Sequence, residues 1–228
     1  TNVFFLSSPR YEKKNFKKKI YNQEFIWIKK LINTLSIKKL IYLSSSTIYQ
    51  ERHFIGDNKI KIENLLTNKN KKIKYVQIWR PFNLVGSNQY KISDHFHNKL
   101  FKIIFLERKK KYLFNGNGND QRGYSLVDDF TKICLQSSKQ DKNFVKNYGN
   151  PNVISIHDMI KIYNKKCKKY FGYYFHPKFK SIKSNHNSVK NLNFKNTFFS
   201  KKKSSKIIEM FLDQMLINFK IKTKKIFR

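Results

Sequence analysis

Short apolar segments alternate with longer stretches of helical periodicity through the first third of the chain, and this alternation limits the fold more than any other feature. The apolar segments cover residues 3–6, 39–44 and 75–79, and apolar side chains recur at helical spacing within 25–35 and 60–66. Strands that alternate with helices in this way are typical of βαβ units, in which the strands lie parallel. The sequence therefore predicts an α/β fold built on a parallel sheet.

The character of the sequence changes after Gly86, where mixed helices and short strands replace the regular alternation. We predict a first domain over residues 1–86 and a mixed α/β part over 87–228. Strands near 123–128 and 144–148 are expected to interleave the second part with the first.

The second part contains several recognisable elements. The apolar pattern predicts a helix over 94–110, a strand over 111–114 and a last helix along 207–219. Ser155 and Asp158 have the spacing of a capping box, which predicts a helix that begins there and extends to about Lys169. Residues 180–205 are rich in Asn, Lys and Ser, and no structure is predicted for them.

The chain is strongly basic, with 49 Lys and Arg against 14 Asp and Glu and a net charge of +35. Such a charge is typical of proteins that bind nucleic acid or another polyanion. However, lysine is used far more than arginine, whereas selection for contacts to phosphates and base edges favours arginine. We therefore favour compositional bias as the source of the charge and keep nucleic-acid binding as an alternative.

Two isolated cysteines, Cys134 and Cys167, lack the spacing of a metal site or a disulfide framework. No run of about 18 apolar residues is present, and the first residues do not have the pattern of a signal peptide. The expected protein is cytoplasmic, with reduced thiols. His95 and His97 do not share a helical face, so no metal site is predicted there.

Four segments carry the candidate chemistry. The first is a cluster of hydroxyl side chains, residues 43–49, that follows a predicted parallel strand, where open α/β sheets place their ligands. The others are residues 55–63, which open the next helix, residues 80–86, which close the next strand, and residues 121–129. In their order and spacing, these segments resemble the NAD-dependent epimerase/dehydratase family, extended short-chain dehydrogenase/reductases that modify nucleotide sugars.

The resemblance implies a Rossmann-like fold, NAD as the cofactor and a role in polysaccharide biosynthesis. Ser45 matches the family's catalytic hydroxyl, four residues before Tyr49, and Lys59 matches the lysine that binds the nicotinamide ribose and lowers the pKa of a catalytic tyrosine. The match also implies cofactor contacts for Ser44 and Pro81. The alternative for Lys59 is an exposed helical charge paired with Glu63, four residues on.

Two further residues match positions that contact the substrate in the family. Asn83 resembles a residue that contacts the sugar nucleotide, and its alternative is a turn-forming role. Arg122 resembles an arginine that binds the substrate diphosphate, a task suited to a planar guanidinium. Arginine occurs at only six positions in this chain, which argues against a merely solvated side chain.

The sequence departs from the family in two ways. Ile55 stands four residues before Lys59, where the family has its catalytic tyrosine, and isoleucine has no proton to exchange. Tyr49 is a candidate substitute. The family's glycine-rich turn and first βαβ unit have no counterpart, so we expect a truncated or catalytically impaired member whose sheet has an unpaired edge.

Two other functions remain open. In the first, the chain binds nucleic acid or anionic glycans. In the second, it is a non-catalytic subunit that binds a sugar nucleotide through Asn83 and Arg122. The resemblance also implies a possible homodimer that pairs helices over 25–35 and 57–66 into a four-helix bundle.

Overall fold

The computed structural model describes residues 1–6, 21–50, 54–68, 72–86, 89, 95–180 and 197–221. Most of the polar stretch over 180–205, as well as the first residue of the helix predicted over 94–110, lies outside the described residues. The strands are β1 Asn2–Phe5, β2 Ile37–Leu43, β3 Ile73–Pro81, β4 Leu84–Val85, β5 Lys111–Asn115, β6 Gln121–Arg122, β7 Ser125–Leu126, β8 Phe144–Gly149, β9 Ile154–Ser155, β10 His176–Lys180 and β11 Thr197–Phe199. The helices are α1 Tyr21–Thr34, α2 Phe54–Thr67, α3 Phe96–Phe101, α4 Val127–Ser138, α5 Ile156–Phe171 and α6 Ser204–Asn218.

The central sheet has five strands in the order β1-β2-β3-β8-β11. Strand β2 pairs in parallel with both β1 and β3, and β3 pairs in parallel with β8. Parallel neighbours need crossover connections, which α1 and α2 provide in this part of the chain. The predicted α/β fold with a Rossmann-like parallel sheet is confirmed, and β1 forms one edge of the described sheet.

The middle of the sheet is hydrophobic on both faces, as parallel sheets are when helices cover them. Leu40, Ile41 and Tyr42 in β2 are completely buried. Ile28 of α1 and Ile62 of α2 belong to the same apolar cluster as Leu40 and Tyr42. The helical periodicity of the sequence therefore identified the side chains that face this core.

The described residues form two compact units. The first comprises described residues within 1–82, 131–148 and 197–198, and it contains most of the parallel sheet. The second comprises described residues within 83–130, 149–180 and 199–221. Its core joins apolar side chains of α3, α5 and α6, and its strands pair as β10 with β5, β4 with β7 and β6 with β9.

Two boundaries differ from the sequence prediction. Leu35, predicted on the apolar face of a helix, follows the end of α1 and is exposed. The helix predicted over 94–110 is a short α3 followed by a π-helical segment, Lys102–Leu106, so its end lies earlier than expected. Helix α5 begins as predicted, because the Ser155 hydroxyl accepts a hydrogen bond from the Asp158 amide at 3.0 Å.

In the part of the chain described above, no helix combines the length and the apolar character needed to cross a membrane.

Candidate functional site

The carboxyl end of β2 leads directly into the hydroxyl cluster. Ser45 caps the 3₁₀ turn Ser46–Tyr49, since its hydroxyl oxygen accepts a hydrogen bond from the Thr47 amide at 3.2 Å. Helix α2 passes very close to this turn: a Cβ on Gly56 would lie 2.3 Å from the Thr47 carbonyl oxygen. Glycine at this position therefore allows α2, with its candidate lysine, to approach the end of β2.

Lys59 points inward from α2 and meets the end of β2. Its ammonium donates hydrogen bonds to the Leu43 carbonyl oxygen at 3.0 Å and to Glu24 Oε1 at 2.6 Å. The side chain lies 4.9 Å from the centre of the Tyr42 ring, and the residue is only 4% exposed. Burial lowers the pKa of Lys59, and the Glu24 carboxylate opposes that change. The structure thus places Lys59 beside the serine cluster.

Glu24 is the residue of this site that the sequence analysis missed. It lies on α1, is completely buried, and accepts hydrogen bonds from both Lys59 and the Tyr42 hydroxyl, the latter at 3.1 Å. Two sequence signals could have found it: acids are uncommon in this chain, and this one interrupts an apolar helix face. The alternative prediction that Lys59 is an exposed charge paired with Glu63 is wrong, because Lys59 is buried and pairs with Glu24.

Glu63 forms a second buried cluster next to the first. The Ser44 hydroxyl donates to its Oε1, and the Arg80 Nε donates to Oε1 at 3.0 Å and to Oε2 at 3.2 Å. Arg80 Nη2 also donates to Oε2, so the guanidinium makes a bidentate contact with the Glu63 carboxylate. Ser44, implied as a cofactor contact by resemblance, has its hydroxyl occupied by Glu63.

Tyr49 is the phenol at the end of the turn. Its hydroxyl donates to Asn147 Oδ1 at 2.9 Å and accepts from Arg80 Nη1 at 2.9 Å. Its ring stacks on Phe82 with the centroids 6.0 Å apart, and the residue is 40% exposed. The phenol therefore remains open to solvent, although a guanidinium rather than Lys59 is its cationic neighbour.

Asn83 and Arg122 belong to the second unit. Asn83 has a left-handed backbone with φ of 36°, and its side-chain amide donates to the Gly123 carbonyl oxygen at 3.1 Å. These features indicate a turn-forming role. The Arg122 guanidinium lies 6.0 Å from the Phe96 ring centre and, among the described residues, has no ion pair with an acid.

Pro81, the other implied cofactor contact, is the last residue of β3 and is opposite Tyr148 of β8. Its place at the carboxyl end of a central strand agrees with the side of a parallel sheet where ligands bind.

Histidine and cysteine do not form a metal centre in the described residues, where no group of three or more suitable side chains comes together. The rings of His95 and His97 stack with centroids 5.6 Å apart. His97 Nε2 lies 3.2 Å from the Gln89 side-chain oxygen, and burial lowers the pKa of His97 from 6.5 to about 3. Cys134 and Cys167 are free and buried, and burial raises the pKa of the Cys134 thiol to about 12.

No protein-family model and no curated protein sequence matches this chain. Solved structures do match it. One is the NAD-dependent NDP-hexosamine 5,6-dehydratase TunA of tunicamycin biosynthesis, with a TM-score of 0.72 and 15% identity over 93% of this chain and 76% of that chain. Another is UDP-glucuronic acid 4-epimerase from Bacillus cereus in complex with NAD, with a TM-score of 0.65 and 21% identity over 93% of this chain and 74% of that chain. A third is MoeE5 in complex with UDP-glucose and NAD, with a TM-score of 0.67 and 13% identity over 88% of this chain and 72% of that chain.

Two of these structures are named as a dehydratase and an epimerase of nucleotide sugars, and the third is a complex with UDP-glucose and NAD. The chain has their Rossmann-like fold. At these sequence identities the likeness establishes the fold alone.

NAD is the cofactor of these structural neighbours. The lysine expected to bind the nicotinamide ribose instead donates to Glu24 and a backbone carbonyl inside the protein. Ile55 provides no phenol beside it. As they stand, these residues do not fit the nicotinamide half of the cofactor.

Proposed function

We propose that this protein is a catalytically impaired member of the NAD-dependent epimerase/dehydratase family, whose members modify nucleotide sugars, with defects in both cofactor binding and proton transfer. The observation that carries the proposal is the meeting of Lys59 with the hydroxyl cluster at the carboxyl end of β2, on a fold shared with such enzymes. Two motif segments that are separate in sequence come together there.

We infer the catalytic impairment from the contacts and the residue type of each candidate catalytic group. The Lys59 ammonium is neutralised by Glu24 within the protein, and the Ser45 hydroxyl oxygen caps a turn. Ile55 cannot act as a general base, because its hydrocarbon side chain has no atom that accepts a proton. Tyr49 is the one phenol among these residues, and its nearest cation is Arg80.

The test is binding of NAD to the chain, measured by isothermal titration calorimetry, together with a search for turnover of UDP-sugars. We expect neither binding nor turnover at millimolar ligand. Measurable NAD binding or sugar conversion by the wild-type chain would show that the proposed impairment is wrong. If turnover occurs and Tyr49→Phe abolishes it, Tyr49 has taken over the role of the missing tyrosine.

A second candidate is a subunit that binds a sugar nucleotide without catalysis. It is supported by Arg122, a scarce arginine that has no acidic partner among the described residues. Thermal stabilisation by a UDP-sugar in the absence of NAD, lost in Arg122→Gln but kept in the control Lys132→Gln at an exposed lysine of α4, supports this candidate. No stabilisation at millimolar UDP-sugar contradicts it.

We also propose that two copies associate through α1 and α2 and that the protein is cytoplasmic. Ile26, Trp27 and Ile60 on these helices are 51%, 39% and 40% exposed, which is unusual for large apolar side chains on neighbouring helices. The reduced, buried thiols of Cys134 and Cys167 support a reducing compartment.

A further inference from the structure

Two segments of the second unit, residues 99–112 and 161–180, carry more positive charge per residue than the chain as a whole. We refer to these two segments together as the basic aromatic surface. They contain thirteen Lys and Arg and a single acid, Glu107. Their net charge of +12 is about a third of the total of +35 on about a seventh of the residues. A uniform compositional bias spreads charge evenly, so this concentration needs another explanation.

The two segments meet in space. Strands β5 and β10 pair in parallel, with Tyr112 opposite Pro177, and the His176 amide donates to the Lys110 carbonyl oxygen at 2.8 Å. The guanidinium of Arg108, in the first segment, lies 5.3 Å from the centre of the Phe171 ring, in the second segment. Charges that are distant in sequence are therefore neighbours on one surface.

Aromatic rings alternate with the cations across this surface. The Lys110 ammonium lies 5.6 Å from the Tyr173 ring centre, and the Lys168 ammonium lies 5.0 Å from that of Tyr174. The rings of Phe171 and Tyr173 stack with an interplanar angle of 16°. Tyr174 is 51% exposed, so much of its ring remains open to a ligand.

Nine of the thirteen cations are not neutralised by an acid of the protein in the part of the chain that the structure describes. Glu107 pairs with Lys102 and Lys109, and outside the surface Asp158 and Asp213 pair with Lys161 and Lys166. The remaining cations of the surface have no ion pair with an acid in the described part of the chain. They are Lys99, Arg108, Lys110, Lys111, Lys165, Lys168, Lys169, Lys178 and Lys180.

Arg108 is unusual both in its residue type and in its backbone conformation. It is one of six arginines in a lysine-rich chain, and its backbone is left-handed, with φ of 52°. This conformation is unfavourable for a residue with a Cβ and persists where the surrounding structure holds it. Here it accompanies a guanidinium placed over the Phe171 ring at the exposed surface.

We propose that the basic aromatic surface binds single-stranded nucleic acid. Lysine and arginine contact successive phosphates, which gives affinity without sequence preference. The open face of Tyr174 stacks on a base, a combination of charge and stacking used by proteins that bind single strands. This proposal concerns the second unit and does not depend on the function proposed for the site at the end of β2.

The experiment measures binding of the full chain to fluorescein-labelled oligouridylate of about 20 nucleotides by fluorescence anisotropy at several salt concentrations. One variant removes three surface charges, Arg108→Gln, Lys110→Gln and Lys168→Gln. The matched control removes three exposed charges from α4 and the loop after it, Lys132→Gln, Lys139→Gln and Lys142→Gln. All six residues are exposed, so both variants are expected to fold.

We expect the surface variant to lose at least tenfold in affinity at moderate salt, with its slope of log affinity against log salt smaller by about two. The control is expected to lose less than about threefold, because only screened, distant charges have been removed. Tyr174→Ala should weaken binding by at least fivefold while leaving the salt slope unchanged, because stacking on a base contributes without releasing counterions.

Three results would overturn the proposal. Equal losses in the surface and control variants would mean that the whole charge, and not this surface, attracts the strand. An unchanged affinity of Tyr174→Ala would remove the stacking contact and leave only phosphate attraction. Tighter binding to vesicles of anionic phospholipid than to the oligonucleotide, again reduced by the surface variant, would identify a membrane as the partner.

Discussion

Glu24 and Glu63 are buried in a chain that has only 14 acids and a large excess of positive charge. Each is satisfied by a cation from a different element, Lys59 in the first case and Arg80 in the second. A buried ion pair adds little net stability compared with apolar residues, but removing one partner leaves an unpaired buried charge. The pairs therefore fix which side chains face each other more than they strengthen the fold.

The Glu24–Lys59 pair makes a direct prediction for stability. Glu24→Gln leaves the Lys59 ammonium buried without a counter-charge and should lower the free energy of unfolding by about 3 kcal/mol. The double variant Glu24→Gln/Lys59→Met should recover a large part of that loss. Urea unfolding followed by circular dichroism gives both values.

The control for this measurement is Glu209→Gln. Glu209 forms an exposed pair with Lys206, with N···O at 3.6 Å, and exposed pairs contribute less than about 1 kcal/mol. A Glu24→Gln loss no larger than that of the control would show that Lys59 is not buried as described.

His97 makes the fold sensitive to acid. Burial lowers its pKa to about 3, whereas in the unfolded chain it titrates near 6.5. Below pH 6.5 the unfolded state binds a proton that the folded state rejects. The stability contributed by neutral His97 is therefore complete above pH 6.5 and is lost progressively as the pH falls toward 3.

We expect the wild type to lose about 1.4 kcal/mol per pH unit through this group between about pH 6 and pH 5. His97→Gln removes the titration and should show a shallower decline over that range, measured by urea unfolding at each pH. His157→Gln, at an exposed histidine, is the control and should follow the wild type. Parallel curves for wild type and His97→Gln would contradict the proposed role of burial.

At the scale of elements, the first unit could be predicted largely from the sequence. The apolar segment at β2 and the helical spacing of Ile28 and Ile32 identified both the strand and the buried face of α1. Periodicity succeeds here because each of these elements buries one continuous apolar face. The helix over 94–110 was overextended, because periodicity does not register the change from α-helical to π-helical hydrogen bonding after Phe101.

The candidate site was predictable to the extent that its residues lie in local motifs. The spacing of Ser45, Tyr49 and Lys59 placed them near one strand end, and the structure brings Lys59 to Leu43 of that strand. The contact with Glu24 spans 35 positions in sequence, and no local pattern encodes it.

Helix α2 is positioned by its contact with the turn that Ser45 caps, and Gly56 is the residue that permits this contact. Gly56→Ala places a methyl group 2.3 Å from the Thr47 carbonyl oxygen, so the helix and the turn must separate. We expect a loss of about 1–3 kcal/mol in unfolding free energy, despite the better helix propensity of alanine. Thermal and urea unfolding measure the change.

Lys61→Ala is the control for this prediction, since Lys61 is an exposed residue of the same helix. It should change the unfolding free energy by less than about 0.5 kcal/mol. A stabilising effect of Gly56→Ala would mean that helix propensity outweighs the close approach, and that α2 is not held against the turn.

At the scale of the whole molecule, the charge of +35 affects every association of the chain. Two copies repel each other, and added salt screens this repulsion over a Debye length of about 10 Å at 0.1 M. Binding of a polyanion responds in the opposite direction, because salt competes with the phosphate contacts. Salt dependence therefore separates the two associations proposed for this protein.

For self-association through α1 and α2, we expect the dimer fraction in sedimentation equilibrium to rise between about 0.05 M and 0.5 M NaCl, because the interface is apolar and the opposing force is electrostatic. Trp27→Glu/Ile60→Glu places two carboxylates on the exposed apolar face of these helices and should leave a monomer at every salt concentration.

Ile217→Glu is the control: it changes an even more exposed apolar residue, on α6, and this variant should dimerise like the wild type. Loss of the dimer in Ile217→Glu alone would move the interface to α6, and a wild-type chain that stays monomeric at high salt would exclude association through this face.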